Sequence, residues 1–165
     1  VDARWRDVYA RHAAPLVDPK GDAPREATPP DPEIRFCANL ALAALRDTDA
    51  LARVIEICHT QWQERAEVVG KVLPAARSQE MASWLMRQMR ADDERSRVTG
   101  LRLMRSLAPK DYAGAIAIHL DAGEASVKRE AINALRAVVD GAPPIETMAS
   151  FTAIEESKKW KERLK

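Results

Sequence analysis

The chain has 165 residues, 46% of them apolar and 31% charged, which suits one folded domain with a continuous core and excludes a chain that stays disordered. Lys and Arg number 26 against 25 Asp and Glu, so the formal net charge of +1 gives no overall attraction to nucleic acid or anionic membrane. With six Gly and two Phe beside abundant Ala, Leu and Arg, and no apolar run of about 18 residues, helices are favoured and no membrane span is expected.

In chain order, Trp5, Val8, Tyr9 and His12 carry the i, i+3, i+4, i+7 spacing of an amphipathic helix over residues 3–14. Pro15 to Pro30, rich in Pro, Asp and Gly, cannot continue that helix and reads as a long loop, which is disordered or functional. Asp31-Pro32-Glu33-Ile34-Arg35 opens the next helix. Counting Ile34 as position zero, Ala38, Ala41, Leu42 and Leu45 follow at positions four, seven, eight and eleven. That spacing places them on one face of a helix turning every ~3.6 residues.

The same template returns every 31 residues: Arg65 with Val69, Val72, Leu73 and Ala76; Ser96 with Gly100, Leu103, Met104 and Leu107; Val127 with Ala131, Ala134, Leu135 and Val138. Between these helices runs a second set. Leu51, Val54, Ile55 and Cys58 are matched by Ala82, Leu85, Met86 and Met89, then by Ala113, Ile116, Ala117 and Leu120. Thr147, Met148 and Phe151 continue those columns after Pro143-Pro144. Each period therefore holds two amphipathic helices, neither able to bury its apolar face alone. The expected organisation is repeat one over 3–45 including the loop 15–30, repeat two over 48–76, repeat three over 78–107, repeat four over 110–139 and a partial repeat over 145–165. Thr48 and Ser78 suit N-caps, Pro109 an early helical position, and Pro74 should shorten or kink its helix.

Asp31-Pro32-Glu33-Ile34-Arg35 with Ala38, Ala41-Leu42 and Leu45 resembles the second-helix consensus of HEAT repeats, and the 31-residue period is similar to the phycobilisome-lyase-like subtype. The resemblance covers about residues 31–140 and implies an all-α fold, a right-handed α-α superhelix (a HEAT-like solenoid, armadillo-like in form) of about four helical hairpins plus the C-terminal partial repeat. It also implies an acid–base ladder between repeats. Asp31, Asp93 and Glu124 hold the acidic site, and Arg35, Arg97 and Lys128 the basic one. Repeat two breaks it with Trp62 and Ala66, while Glu155 and Lys159 suggest a fifth second helix starting near Glu155.

Catalytic chemistry is not expected. HEAT-type iron hydroxylases use His-Glu dipeptides, which this chain lacks, and His12, His59 and His119 have no carboxylates at metal-ligand spacing. No phosphate-binding glycine loop or nucleophile elbow occurs, so no metal, cofactor or small-molecule substrate is expected. Cys37 and Cys58, without a CxxC unit, are expected as buried thiols of a reducing compartment, the cytoplasm. The start at Val1, without an initiator Met, reads as the trimmed end of a larger protein, from which a targeting segment could have been removed.

The function this reading leads to is a non-catalytic scaffold or adaptor that binds another protein along its second helices, the concave face of such a solenoid by resemblance. Positions two, six and nine of those helices are expected to face outward: Phe36, Leu40 and Ala43; Glu67, Lys71 and Pro74; Val98, Arg102 and Arg105; Arg129, Asn133 and Arg136. The candidate partner-binding residues are Arg102, Arg105, Arg129, Asn133, Arg136, Phe36 and Leu40. The arginines suit an acidic protein surface through bidentate pairing. The alternative is a nucleic-acid-binding solenoid related to alkylpurine DNA glycosylases. Trp5, Trp62, Trp84 and Trp160 invite that comparison, but their scattered placement disfavours it.

Overall fold

The computed structural model describes residues 31–89 and 93–165. All regular secondary structure among them is helical. The α-helices are α1 (Pro32–Ala44), α2 (Thr48–Val72), α3 (Gln79–Gln88), α4 (Glu94–Leu107), α5 (Ala113–Ala117), α6 (Ala125–Asp140) and α7 (Ser150–Arg163). Short 3-10 segments at Leu73–Ala76, Lys110–Tyr112 and Ile118–Asp121 extend α2 and flank α5. The helix expected over 3–14 and the loop 15–30 lie outside the described residues. The chain divides into two compact units, residues 1–38 and 39–165, and only the opening of α1 among the described residues belongs to the first.

The Asp31 carboxylate accepts the Glu33 N–H at 2.8 Å, and Pro32, which has no N–H to satisfy, takes the first helical position of α1. The face that α1 buries differs from the expected one. Phe36, Asn39, Leu40 and Ala43 are buried, whereas Ile34 is 63% exposed and Ala41 also faces solvent. Both flanks of this helix are apolar, so periodicity alone leaves its rotation open. The flank carrying Phe36 has the larger side chain to bury. Cys37 rotates outward with Ile34 and is exposed, contrary to expectation, while Cys58 is buried.

In the second unit, Asp47 rather than Thr48 caps α2, accepting the Ala50 N–H at 2.9 Å. Leu51, Val54, Ile55 and Cys58 are buried as their columns predict. Gln61, at φ −115° and ψ 25°, is the one non-helical residue within α2, dividing it into two arms with no connecting loop. Pro74 falls in the 3-10 segment that ends the second arm, as expected of a residue lacking an N–H. Ser78 caps α3 through the Met81 N–H, and Pro109 stands just before the segment Lys110–Tyr112 instead of inside it.

The centre of this unit is α4, which packs against α2, α3 and α6, and α6 in turn packs against α5 and α7. Gly100, Leu103, Met104 and Leu107 of α4 are buried, as are Val127, Ala131, Ala134 and Leu135 of α6. Gly100 permits the approach of α3: a Cβ there would lie 2.1 Å from Met89 Cγ. After α6 the repeat template holds only in part. Met148 is buried as its column predicts, but Thr147 is exposed and Phe151 is 70% exposed, and α7 runs unbroken through Glu155 with Ala153, Ser157 and Trp160 buried. This single helix replaces the expected partial repeat, because Pro143-Pro144 ends the periodic register and α7 follows its own stripe. Lys159 pairs within α7 with Glu156 at 2.8 Å and is not a ladder rung.

Candidate interaction face on α2, α4 and α6

The second arm of α2, the helix α4 and the helix α6 bring a polar network to one face. Trp62 follows the Gln61 break, and the Arg102 guanidinium sits 5.2 Å above its ring. Arg102 Nε donates to Glu130 Oε1 at 3.0 Å, and Arg105 Nη2 donates to the other oxygen of the same carboxylate. Glu130 thus spans two successive turns of α4. Burial acts on the Arg105 guanidinium to lower its pKa, opposed by the nearby Glu130 charge, and its Nε is buried without a partner.

One rung of the expected ladder forms in the described residues, with Arg97 Nη2 donating to Glu124 Oε1 at 2.7 Å. That hydrogen bond holds the Glu124 carboxyl below its usual range. Asp93 instead caps α4, accepting the Ser96 N–H at 3.0 Å and the Ser96 hydroxyl at 2.7 Å. Asp31 likewise caps its own helix. Nearby, His59 Nδ1 lies 2.8 Å from the Thr99 hydroxyl, and partial burial lowers the His59 pKa. His59, Asp93, Glu94, Arg95, Val98, Thr99, Arg102 and Ser126 line an open groove across these helices.

The residues expected to bind a partner fare unequally. Phe36 and Leu40 are 1% and 2% exposed, so they belong to buried surface and not to an outward strip. Arg102 and Arg105 face Glu130 rather than solvent. Asn133 is buried because its side chain pairs with the backbone of Ile145, and half-buried Arg136 donates from Nε and Nη2 to the Pro143 carbonyl. Arg129 is exposed. Glu67, Lys71 and Pro74 are also exposed, as expected of their outward positions, whereas Arg102, Arg105, Asn133 and Arg136 are covered because α6 and the segment after it supply partners that a count of arginines does not register. The sequence reasoning also passed over His59, Thr99 and Arg95. For the pairing of Arg102 and Arg105 the signal was Glu130, an acid at position three of its helix, opposite two arginines one period earlier.

Among the described residues no three of His, Cys, Asp and Glu gather as a metal-binding group, and no helix is long and apolar enough to cross a membrane. Burial pushes the Cys58 thiol up to about 11. No family model, curated protein or solved structure matches the chain.

Proposed function

We propose that this protein is a non-catalytic interaction module of the HEAT-like α-solenoid kind, which binds an acidic surface of another protein across α2, α4 and α6. The observation that carries this reading is the groove described above, crossed by side chains that are already held in place. Of its lining residues, Arg102 is held by Trp62 and Glu130 and His59 by Thr99, so little of their side-chain freedom is lost on binding.

Charge supports an acidic partner. With their N-cap residues, α4 and α6 carry five acids (Asp93, Glu94, Glu124, Glu130, Asp140) and seven bases (Arg95, Arg97, Arg102, Arg105, Lys128, Arg129, Arg136). The acids are engaged: Asp93 caps its helix, Glu94 accepts from Ser126, and Glu124, Glu130 and Asp140 pair with arginines. Arg95 and Arg129 are exposed, and among the described residues neither guanidinium is hydrogen-bonded. With half-buried Lys128, whose side chain likewise has no hydrogen bond among the described residues, they are the cations of these helices available to a partner, and guanidinium suits bidentate pairing with carboxylates.

The test is affinity capture with the full chain and with an Arg95→Glu/Arg129→Glu variant, followed by mass spectrometry. The expected result is a protein held by the first and lost by the second at unchanged helical content. Identical capture by both would overturn the reading. Binding that falls by about 10³-fold or more between 50 and 200 mM salt would instead point to nucleic acid.

A further inference from the structure

The chain leaves α6 and immediately turns back over it. Gly141, at φ 64°, closes the helix with its N–H on the Ala137 carbonyl, and the Ala142 N–H bonds the Arg136 carbonyl. The Arg136 guanidinium then takes the Pro143 carbonyl from two nitrogens, each at 3.3 Å. Asn133 meets Ile145 twice: its Nδ2 donates to the Ile145 carbonyl at 3.2 Å, and the Ile145 N–H donates to its Oδ1 at 2.8 Å. One side-chain amide thereby satisfies both backbone groups of a residue, as a neighbouring strand would.

These contacts read backbone atoms, so they select an extended conformation more than a sequence. Pro143-Pro144 supplies that conformation in advance, since proline fixes its own φ and keeps the preceding residue out of the helical region. Pro143, Pro144, Glu146 and Thr147 are exposed, so between Gly141 and buried Met148 few side chains of the segment are covered. Its hold on α6 is chiefly the hydrogen bonds from Asn133 and Arg136.

We propose that the Asn133–Arg136 face of α6 is a docking site for an extended, proline-containing peptide, occupied in this chain by its own residues 142–146. The proposal deepens the interaction-module reading and rests on it, naming the form of the partner segment at this end of the face. The resident segment competes with an incoming peptide. A short tether gives an effective concentration on the order of millimolar, so a free peptide of the same sequence cannot displace it at micromolar levels, while a tighter one can.

The experiment weakens the hold on the resident segment in the full chain with Ile145→Pro, which keeps the extended backbone and removes the N–H that Asn133 accepts, leaving the Arg136 contact to Pro143 in place. The probe is a capped synthetic peptide of residues 142–149, titrated while NMR follows the Asn133 side-chain amide. The expected result is a shift in the variant at a concentration about tenfold below that needed for the unsubstituted chain, as weakening of a tethered competitor requires. The same peptide with Pro in place of Ile145 should produce none. A folded variant that stays unresponsive to about 5 mM peptide, well above the tethered concentration, overturns the proposal, as does an equal response to both peptides. Should Ile145→Pro fail to fold, hydrogen exchange on the unsubstituted chain decides. An Ile145 amide opening about 100-fold faster than those of Ala134 and Leu135 supports a displaceable segment, and exchange only together with them refutes it. Failure here with partner binding still lost in Arg95→Glu/Arg129→Glu would leave the groove reading standing.

Discussion

Replacing Glu130 with Gln removes one negative charge from the point where two arginines of α4 converge. The Glu130, Arg102 and Arg105 side chains are 14%, 22% and 15% exposed, so this cluster lies between the surface and fully buried limits. Exposed pairs are worth about 0–1 kcal/mol, and breaking a buried pair costs about 3–5 kcal/mol because a charge is left uncompensated. Gln adds a second difficulty, since its NH2 group would face guanidinium donors. The expected cost is about 2–4 kcal/mol, which for a chain of this size lowers Tm by roughly 4–16 °C. Thermal and urea denaturation followed by circular dichroism measures it. The triple variant Glu130→Leu/Arg102→Met/Arg105→Met should recover at least half of the loss, because removing the acid and both arginines leaves no stranded charge. Glu67→Gln, which breaks a pair with side chains 82% and 72% exposed, should leave the midpoint where it was. A Glu130→Gln variant within about 0.5 kcal/mol of the parent would refute the view that this cluster joins α4 to α6.

Gly100→Ala should destabilise the protein by about 1 kcal/mol: a helix-propensity gain of that size is outweighed by overpacking of about 1–3 kcal/mol against Met89. Adding Met89→Ala should reverse the sign of the Gly100→Ala effect, and a stabilised single variant would show that α3 gives way freely. Ser78→Ala, which leaves the Met81 N–H without its cap, should cost about 1 kcal/mol, readable as a lower urea midpoint. His59 and His119 both have pKa values lowered chiefly by burial, so the folded state binds fewer protons than the unfolded chain just below pH 6.5. The stability they contribute is present above that pH and lost as pH falls through their lowered values. Urea midpoints should therefore drop between pH 7.5 and 5.5, and His59→Asn/His119→Gln should flatten that drop; a parent profile already flat there would contradict it.

The core columns were legible wherever one flank of a helix is apolar and the other charged. Leu51, Val54 and Ile55 in α2, Leu103 and Met104 in α4, and Ala131 and Leu135 in α6 all point inward as their spacing requires. Legibility fails in α1, where Phe36 and Leu40 compete with Ile34 and Leu42 on opposite flanks and only packing decides between them. It fails again past Pro143-Pro144, where the 31-residue register was extended into a helix with its own buried stripe of Ala153, Ser157 and Trp160. Capping was read in part: Ser78 was found, but Asp47 took the place of Thr48, a choice between adjacent side chains that depends on where the chain turns.

The candidate site was harder to read than the core, for a physical reason. Outward positions on a packed helix are not automatically solvent positions, since long side chains reach over to the next helix. Arg102, Arg105, Arg136 and Asn133 all stand at such positions, and all four hydrogen-bond groups on α6 or on the segment that follows it. A charge reversal at Arg102 or Arg105 would therefore place an acid against Glu130 and report on folding, whatever the partner. Reversal at Arg95 or Arg129 disturbs no hydrogen bond among the described residues, so a binding change there with stability unaltered reports on recognition. Assigning binding to this face requires that second pair of positions, measured beside the first.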